Sequence, residues 1–144
     1  MSKNFAKFDD TNFPVVIIKF NGTIQNDSDF DIFIDTWKSY DKLKKKYTFV
    51  FDSSEVTSVP IKYTYKMSSF IRKLKQDKEN VYLERSIIVC NNYYIRKLLE
   101  FIFFLEKPLA PVYIVDNMNK VHDLYTTVQL NPNLYDFSVT LIAS

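Results

Sequence analysis

Apolar and polar positions divide this chain into short strands and amphipathic helices. Residues 5–9 and 13–20 are two runs rich in Phe, Val and Ile, parted by Asp10-Thr11-Asn12, the pattern of an antiparallel hairpin. Asn21-Gly22 ends the second run. Ser28 then opens a helix, with Asp31 three residues on as in a capping box. Phe30, Phe33, Ile34 and Trp37 recur at the i, i+3, i+4, i+7 spacing of one helical face. Asp29, Asp31 and Asp35 lie toward its positive end, and Lys42, Lys44, Lys45 and Lys46 toward its negative end, as the helix dipole favours. The lysine run is thereby explained as helix-end solvation; a patch for an anionic partner is the alternative.

Residues 47–52 and 84–90, the latter through Ser86-Ile87-Ile88-Val89-Cys90, are apolar without alternation, the mark of strands buried on both faces, as in parallel sheets. Residues 53–59 read as a loop. Pro60 starts a second helix, where its missing N–H costs nothing. Ile61, Thr64, Met67, Ser68, Ile71 and Leu74 form its expected inner face, with Lys62, Tyr63, Lys66, Lys73 and Lys75 turned away. Asn91 or Asn92 caps a third helix over residues 93–106, with Ile95, Leu98, Leu99 and Ile102 inward. Residues 110–115 form the next strand. Asp116 or Asn117 caps a fourth helix carrying Val121, Leu124, Tyr125 and Val128. Phe137, Val139 and Leu141 then alternate with polar residues, a late strand. Strands that alternate with helices give right-handed crossovers and a mostly parallel sheet. The expectation is a single α/β domain: a mixed sheet of about five strands with an N-terminal hairpin, four helices mainly on one face, and a late C-terminal strand. Its core spans about residues 5–128, and residues 129–144 are an extension.

Composition narrows the chemistry. At 144 residues the chain is one domain's length. Nineteen Lys+Arg against 17 Asp+Glu leave a net charge of +2, which argues against a dedicated nucleic-acid binder. One Cys and one His argue against a disulfide framework and a metal site. The one glycine, Gly22, argues against a phosphate cradle or a dinucleotide turn, which need several. The first ten residues have no apolar stretch of signal-peptide kind, and no stretch is long enough to span a bilayer, so a soluble cytoplasmic protein is expected. Two Asn-x-Ser/Thr matches, at Asn21 and Asn26, read as chance.

No cofactor is expected, and no enzyme. Cys90 lies in an apolar run and reads as a buried thiol. His122, the sole imidazole, sits beside Val121 on the fourth helix and reads as exposed or satisfied. Asp52 and Asp116 end predicted parallel strands, the edge where open α/β sheets bind ligands; the plainer reading is that both cap turns. Ser53-Ser54 lacks a glycine elbow. The second helix interleaves Lys62, Tyr63, Tyr65, Lys66, Arg72, Lys73, Lys75 and Lys78, which could meet phosphates and stack bases; a solvated face is the plainer alternative. The third helix is the odd one. It also carries Tyr93, Tyr94, Phe101, Phe103 and Phe104, and a helix apolar nearly all round needs a cover. Burying each Phe is worth roughly 1.5–3 kcal/mol. The C-terminal strand (residues 134–142), a second subunit or a lipid would each serve.

Three stretches together resemble one family. They are residues 15–24, ending in the lone glycine; Phe49-Val50-Phe51-Asp52-Ser53-Ser54-Glu55-Val56; and Ser86-Ile87-Ile88-Val89-Cys90-Asn91 followed by Ile95-Arg96-Lys97-Leu98-Leu99-Glu100. In order and spacing, with Pro111-Val112-Tyr113 after them, they are similar to the STAS domain of anti-sigma-factor antagonists and of anion-transporter tails. The resemblance spans about residues 5–125. It implies a non-enzymatic protein-interaction module whose partner contacts fall on Thr57, Ser58, Pro60, Ile61, Lys62, Tyr63 and Lys66. The family's Asp-Ser-Ser-Gly-like phosphorylated turn falls on Pro60-Ile61-Lys62-Tyr63, where none of those residue types stands, so no phospho-switch is expected. The alternatives are self-association as a homodimer through Phe101, Phe103 and Phe104, or carriage of a lipid or other apolar ligand.

Overall fold

A computed structural model describes residues 5–121 and 140–142. In chain order the elements are β1 (Ala6–Asp9), β2 (Val15–Gly22), α1 (Asp27–Asp41), β3 (Tyr47–Val56), α2 (Ile61–Gln76), a 3-10 turn (Lys78–Asn80), β4 (Leu83–Val89), α3 (Tyr93–Leu105), β5 (Val112–Val115) and β6 (Thr140–Ile142). The strands form one six-stranded sheet in the order β1-β2-β3-β4-β5-β6. β1 is antiparallel to β2 in the expected hairpin, β2 to β5 run parallel, and β6 is antiparallel to β5. Parallel crossovers are right-handed. When each crossover steps to the next strand in the same direction, every helix lands on one face, and α1, α2 and α3 all do.

The uninterrupted apolar runs follow from that arrangement. Phe49, Phe51, Ile88, Val112 and Ile114 point into the main core under the helices. Their neighbours Val50, Ile87, Val89, Tyr113 and Val115 point through the other face into a second cluster, joined by Val121. Helical backbone is reached at residues 119–121, where Asn117 Oδ1 accepts from Lys120 N at 3.2 Å, so Asn117 is the cap of the fourth helix's first turn. Leu124, Tyr125 and Val128, with His122, lie outside the described residues.

Several boundaries differ from the sequence-based expectation, each for a local reason. α1 starts earlier than Ser28: Asn26 Oδ1 accepts from Asp29 N at 3.0 Å, and Asp29 Oδ2 accepts from Gln25 N at 3.0 Å. This resembles a capping box, with an amide oxygen in place of a hydroxyl and with the Asp29 carboxylate reaching the N–H one residue before the cap. β3 continues through residues 53–56, expected as loop, because Glu55 and Val56 pair with Asn21 and Gly22 of β2. Gly22 closes that corner at φ +68°, in the left-handed region that glycine enters without steric cost. α2 begins at Ile61 with Pro60 as its cap residue, and it is rotated from the expected face. Ile61 is 59% exposed and Tyr63 only 3%. The rotation seats Phe70 edge-on against Trp37, ring centroids 5.2 Å apart, and stacks Tyr63 on Phe30 at 5.6 Å. Two large aromatics gain more by burial than one isoleucine loses. α3 is capped by Asn92, whose Oδ1 accepts from Tyr94 N at 2.7 Å.

Candidate functional site

α1 fills its side of the core with aromatic rings. Trp37 meets Phe33, Phe49 and Phe70 edge-on at 5.9, 5.0 and 5.2 Å. Its indole Nε1 is buried without a hydrogen-bond partner. Tyr47 donates to Asp41 Oδ1 at 2.6 Å, and burial with that carboxylate pushes its phenol well above the usual tyrosine range.

The other side of the same core is not filled. Between the sheet and the helices lies a cavity of about 180 Å³. One part of its wall is aromatic: Phe20, Phe33, Trp37 and Phe51 from β2, α1 and β3. The other is aliphatic: Ile71 and Leu74 from α2, Leu98, Leu99 and Ile102 from α3, Ile88 and Val112 from the sheet. The hydroxyls in the wall belong to Ser53, Thr64, Ser86 and Tyr63. Ser53 Oγ donates to Val89 O at 2.6 Å, Thr64 Oγ1 to Ile61 O, and Tyr63 OH to Asp27 Oδ1 at 3.0 Å. Three of these four are thus already committed, and among the described residues none of the lining side chains is charged.

α3 closes the cavity and is held chiefly at its two ends. Near its start the Tyr94 hydroxyl lies 3.3 Å from Val59 O and 3.4 Å from Val59 N. Just past its end, Glu106 accepts from Lys75 Nζ at 2.6 Å and from Arg72 Nε at 3.2 Å. Those two cations hold the Glu106 carboxyl below the ordinary glutamate value, the Lys75 contact most of all. Between the anchors only Ile95 is fully buried, while Leu98, Leu99, Ile102 and Phe103 are half-buried over the cavity.

The residues singled out from the sequence are dispersed over the surface. Thr57, Ser58, Pro60, Ile61 and Lys62 are exposed around the start of α2, but Tyr63 turns inward and Lys66 is half-buried. Lys62 and Lys66 both reach Asp27, at 3.2 and 3.4 Å. With Arg72 and Lys75 bound to Glu106, four cations of the supposed phosphate-binding face are engaged with carboxylates. Of the α3 aromatics, Phe103 packs on the main core, Phe101 meets Tyr65 edge-on at 5.6 Å, and Phe104 stands 83% exposed. Thr140–Ile142 takes an edge position in the sheet rather than a place across α3; residues 134–139 lie outside the described residues.

Asp52 and Asp116 are not a pair. Asp52 is beside Val89 and Val89 beside Val115, so two strand spacings, roughly 9–10 Å, part the aspartates. Asp52 Oδ1 accepts from Ser54 N at 3.0 Å and from Ser54 Oγ at 2.7 Å, and Asp116 holds Lys120 at 2.9 Å. Cys90 is buried, its Sγ 3.3 Å from Asn92 O. Among the described residues no group of three or more His, Cys, Asp and Glu side chains could hold a metal ion, and no helix is long and apolar enough to cross a membrane.

The cavity was missed from the sequence. Its one signal in the sequence is the excess of apolar residues on α3, which calls for a cover without saying that an internal space lies beneath. Compared with known proteins, no family model matches the chain and no curated protein sequence is similar to it.

Proposed function

We propose that this protein is a non-enzymatic binding module that carries an apolar ligand inside its core. The single observation behind this reading is the 180 Å³ cavity beneath α3. Left unfilled, a space of that volume costs at most about 4 kcal/mol, the figure for a fully enclosed cavity at roughly 24 cal/mol per Å³. That is a large part of the roughly 5–15 kcal/mol that keeps a domain folded. A ligand that fills the space returns this energy on binding. The resemblance to STAS domains, which act by binding rather than catalysis, supports the same class of function. So does the engagement of Asp52 with Ser54 inside β3 and of Asp116 with Lys120.

Trp37 is the chain's one tryptophan and lines the cavity, so it reports on occupancy. Titration with toluene should change its emission saturably and raise the melting temperature. An emission that drifts linearly with no thermal shift removes the carrier reading. A second reading rests on Phe104, 83% exposed, and Tyr93, 76% exposed, with Ile61 and Tyr65 exposed on the adjoining helix. They support a protein-interaction surface, for a second copy or another partner, reaching the Thr57–Lys66 region. Light scattering over a wide concentration range tests the second copy: a monomer throughout excludes it.

A further inference from the structure

We infer that the ligand is an uncharged molecule whose buried part is one ring or a short alkyl chain, with α3 as the element that closes over it. This rests on the carrier reading and specifies its chemistry.

Size comes first. A cavity of about 150 Å³ lined by apolar side chains stays dry and takes benzene. The cavity here, about 180 Å³, admits little more. A substituted benzene, an indole or an alkyl chain of about six to ten carbons is the natural upper limit on that scale. A long-chain lipid does not fit without displacing α3.

Charge comes second. Among the described residues no lining side chain is ionised at neutral pH. The charged groups described around the cavity are paired with one another outside the wall: Glu106 with Arg72 and Lys75, Glu100 with Arg96 and Lys97, and Asp27, which accepts from the lining Tyr63, with Lys62 and Lys66. Ser53, Thr64 and Tyr63 give their hydroxyl protons to protein oxygens, which leaves Ser86 as the remaining wall hydroxyl. A carboxylate or ammonium buried here would lose its water without gaining a partner. One neutral polar atom is the most the wall accommodates.

Shape comes third. The wall is aromatic on the α1 side and mostly aliphatic on the α3 side, where Phe103 is the one ring beside Leu98, Leu99 and Ile102. A flat ring can lie against Phe20, Phe51 and Trp37 and still be covered by Leu98, Leu99 and Ile102. Those three are half-buried, whereas the helix ends are pinned by polar contacts. Of the three helices in the wall, α1 and α2 are tied together by Trp37 on Phe70 and Phe30 on Tyr63, whereas the one ring–ring contact of α3 described is Phe101 on Tyr65, so α3 can lift without opening the Trp37 cluster.

Binding of n-alkanols from butanol to hexadecanol, of toluene and indole, and of octanoate at neutral pH, each read by Trp37 emission and by calorimetry on the full chain, tests this. Affinity should rise about fourfold per methylene, level off or fall beyond about ten carbons, and be at least tenfold weaker for octanoate than for octanol. Affinity that keeps climbing to hexadecanol, or octanoate binding as well as octanol, overturns the ligand class while leaving the carrier reading standing. No saturable binding of any probe overturns both. Leu98→Phe, which places a ring in the cavity from α3, should weaken toluene binding tenfold or more with the circular dichroism unchanged. Toluene affinity unchanged in L98F would place the ligand elsewhere and overturn the site.

Discussion

α1 and α3 lie on the same face of one sheet, yet they are held in opposite ways. α1 is a mixed sequence with acidic, basic and hydroxyl residues, and it buries Phe30, Phe33, Ile34, Trp37 and Tyr40. α3 is far more apolar and fully buries only Ile95. Hydrophobicity along a helix therefore does not measure how firmly it is packed. What decides is whether the opposite wall supplies complementary volume. Opposite α1 stand Phe8, Phe49 and Phe51, whose rings interlock with its own. Opposite α3 is the cavity.

The largest test of that contrast is truncation in each helix. Trp37→Ala should lower stability by about 3–5 kcal/mol, as for other buried Trp and Phe deletions. Leu99→Ala should cost less than about 2 kcal/mol, because Leu99 is only half-buried, whereas Trp37, though it too borders the space, is 4% exposed and ringed by aromatic contacts. Urea unfolding measures both, and equal losses would break the comparison. Next come the caps. Asn26→Ala should cost about 1 kcal/mol, since its amide oxygen works with Asp29 at the start of a well-packed helix. Asn92→Ala should cost less in global stability, because α3 can fray without opening the aromatic core; hydrogen exchange should locate that loss in α3 alone.

The smallest effect is electrostatic. Glu106 has its pKa lowered in the folded protein, first by Lys75 and then by Arg72. The stability it contributes is complete above the ordinary value of 4.5 and is lost as pH falls through the lowered one. α3 amide exchange, corrected for the intrinsic rate, should therefore quicken in that acid window. Glu106→Gln should quicken it already at neutral pH. Asp27 is lowered likewise, first by Lys62, so some acid loosening of the α1–α2 contact should persist in the variant. Exchange in α3 that is indifferent to both changes would mean that its packing, not its C-terminal ion pairs, holds it down.

The chain order of elements, the one-sided helices and the doubly buried strands were legible because they are written as periodicities. Phe30, Phe33, Ile34 and Trp37 repeat at helical spacing, and Ile87-Ile88-Val89 leaves no polar face for water. Local chemistry was legible only in part. An Asx cap at Asn26 looks in sequence much like a Ser cap at Ser28. The rotation of α2, which buries Tyr63 and exposes Ile61, depended on where Phe70 could reach Trp37.

The site itself was written nowhere in the linear pattern. A cavity is a difference between the volume that the backbone encloses and the volume that side chains from β2, β3, β4, β5, α1, α2 and α3 together supply. No single segment carries that difference. By itself the sequence determined that α3 is apolar and must be next to something apolar, since water around Leu98, Leu99 and Ile102 is costly. Only the tertiary structure decided that part of this something is an internal space of about 180 Å³, because strand order and helix rotation set how far the facing walls stand apart.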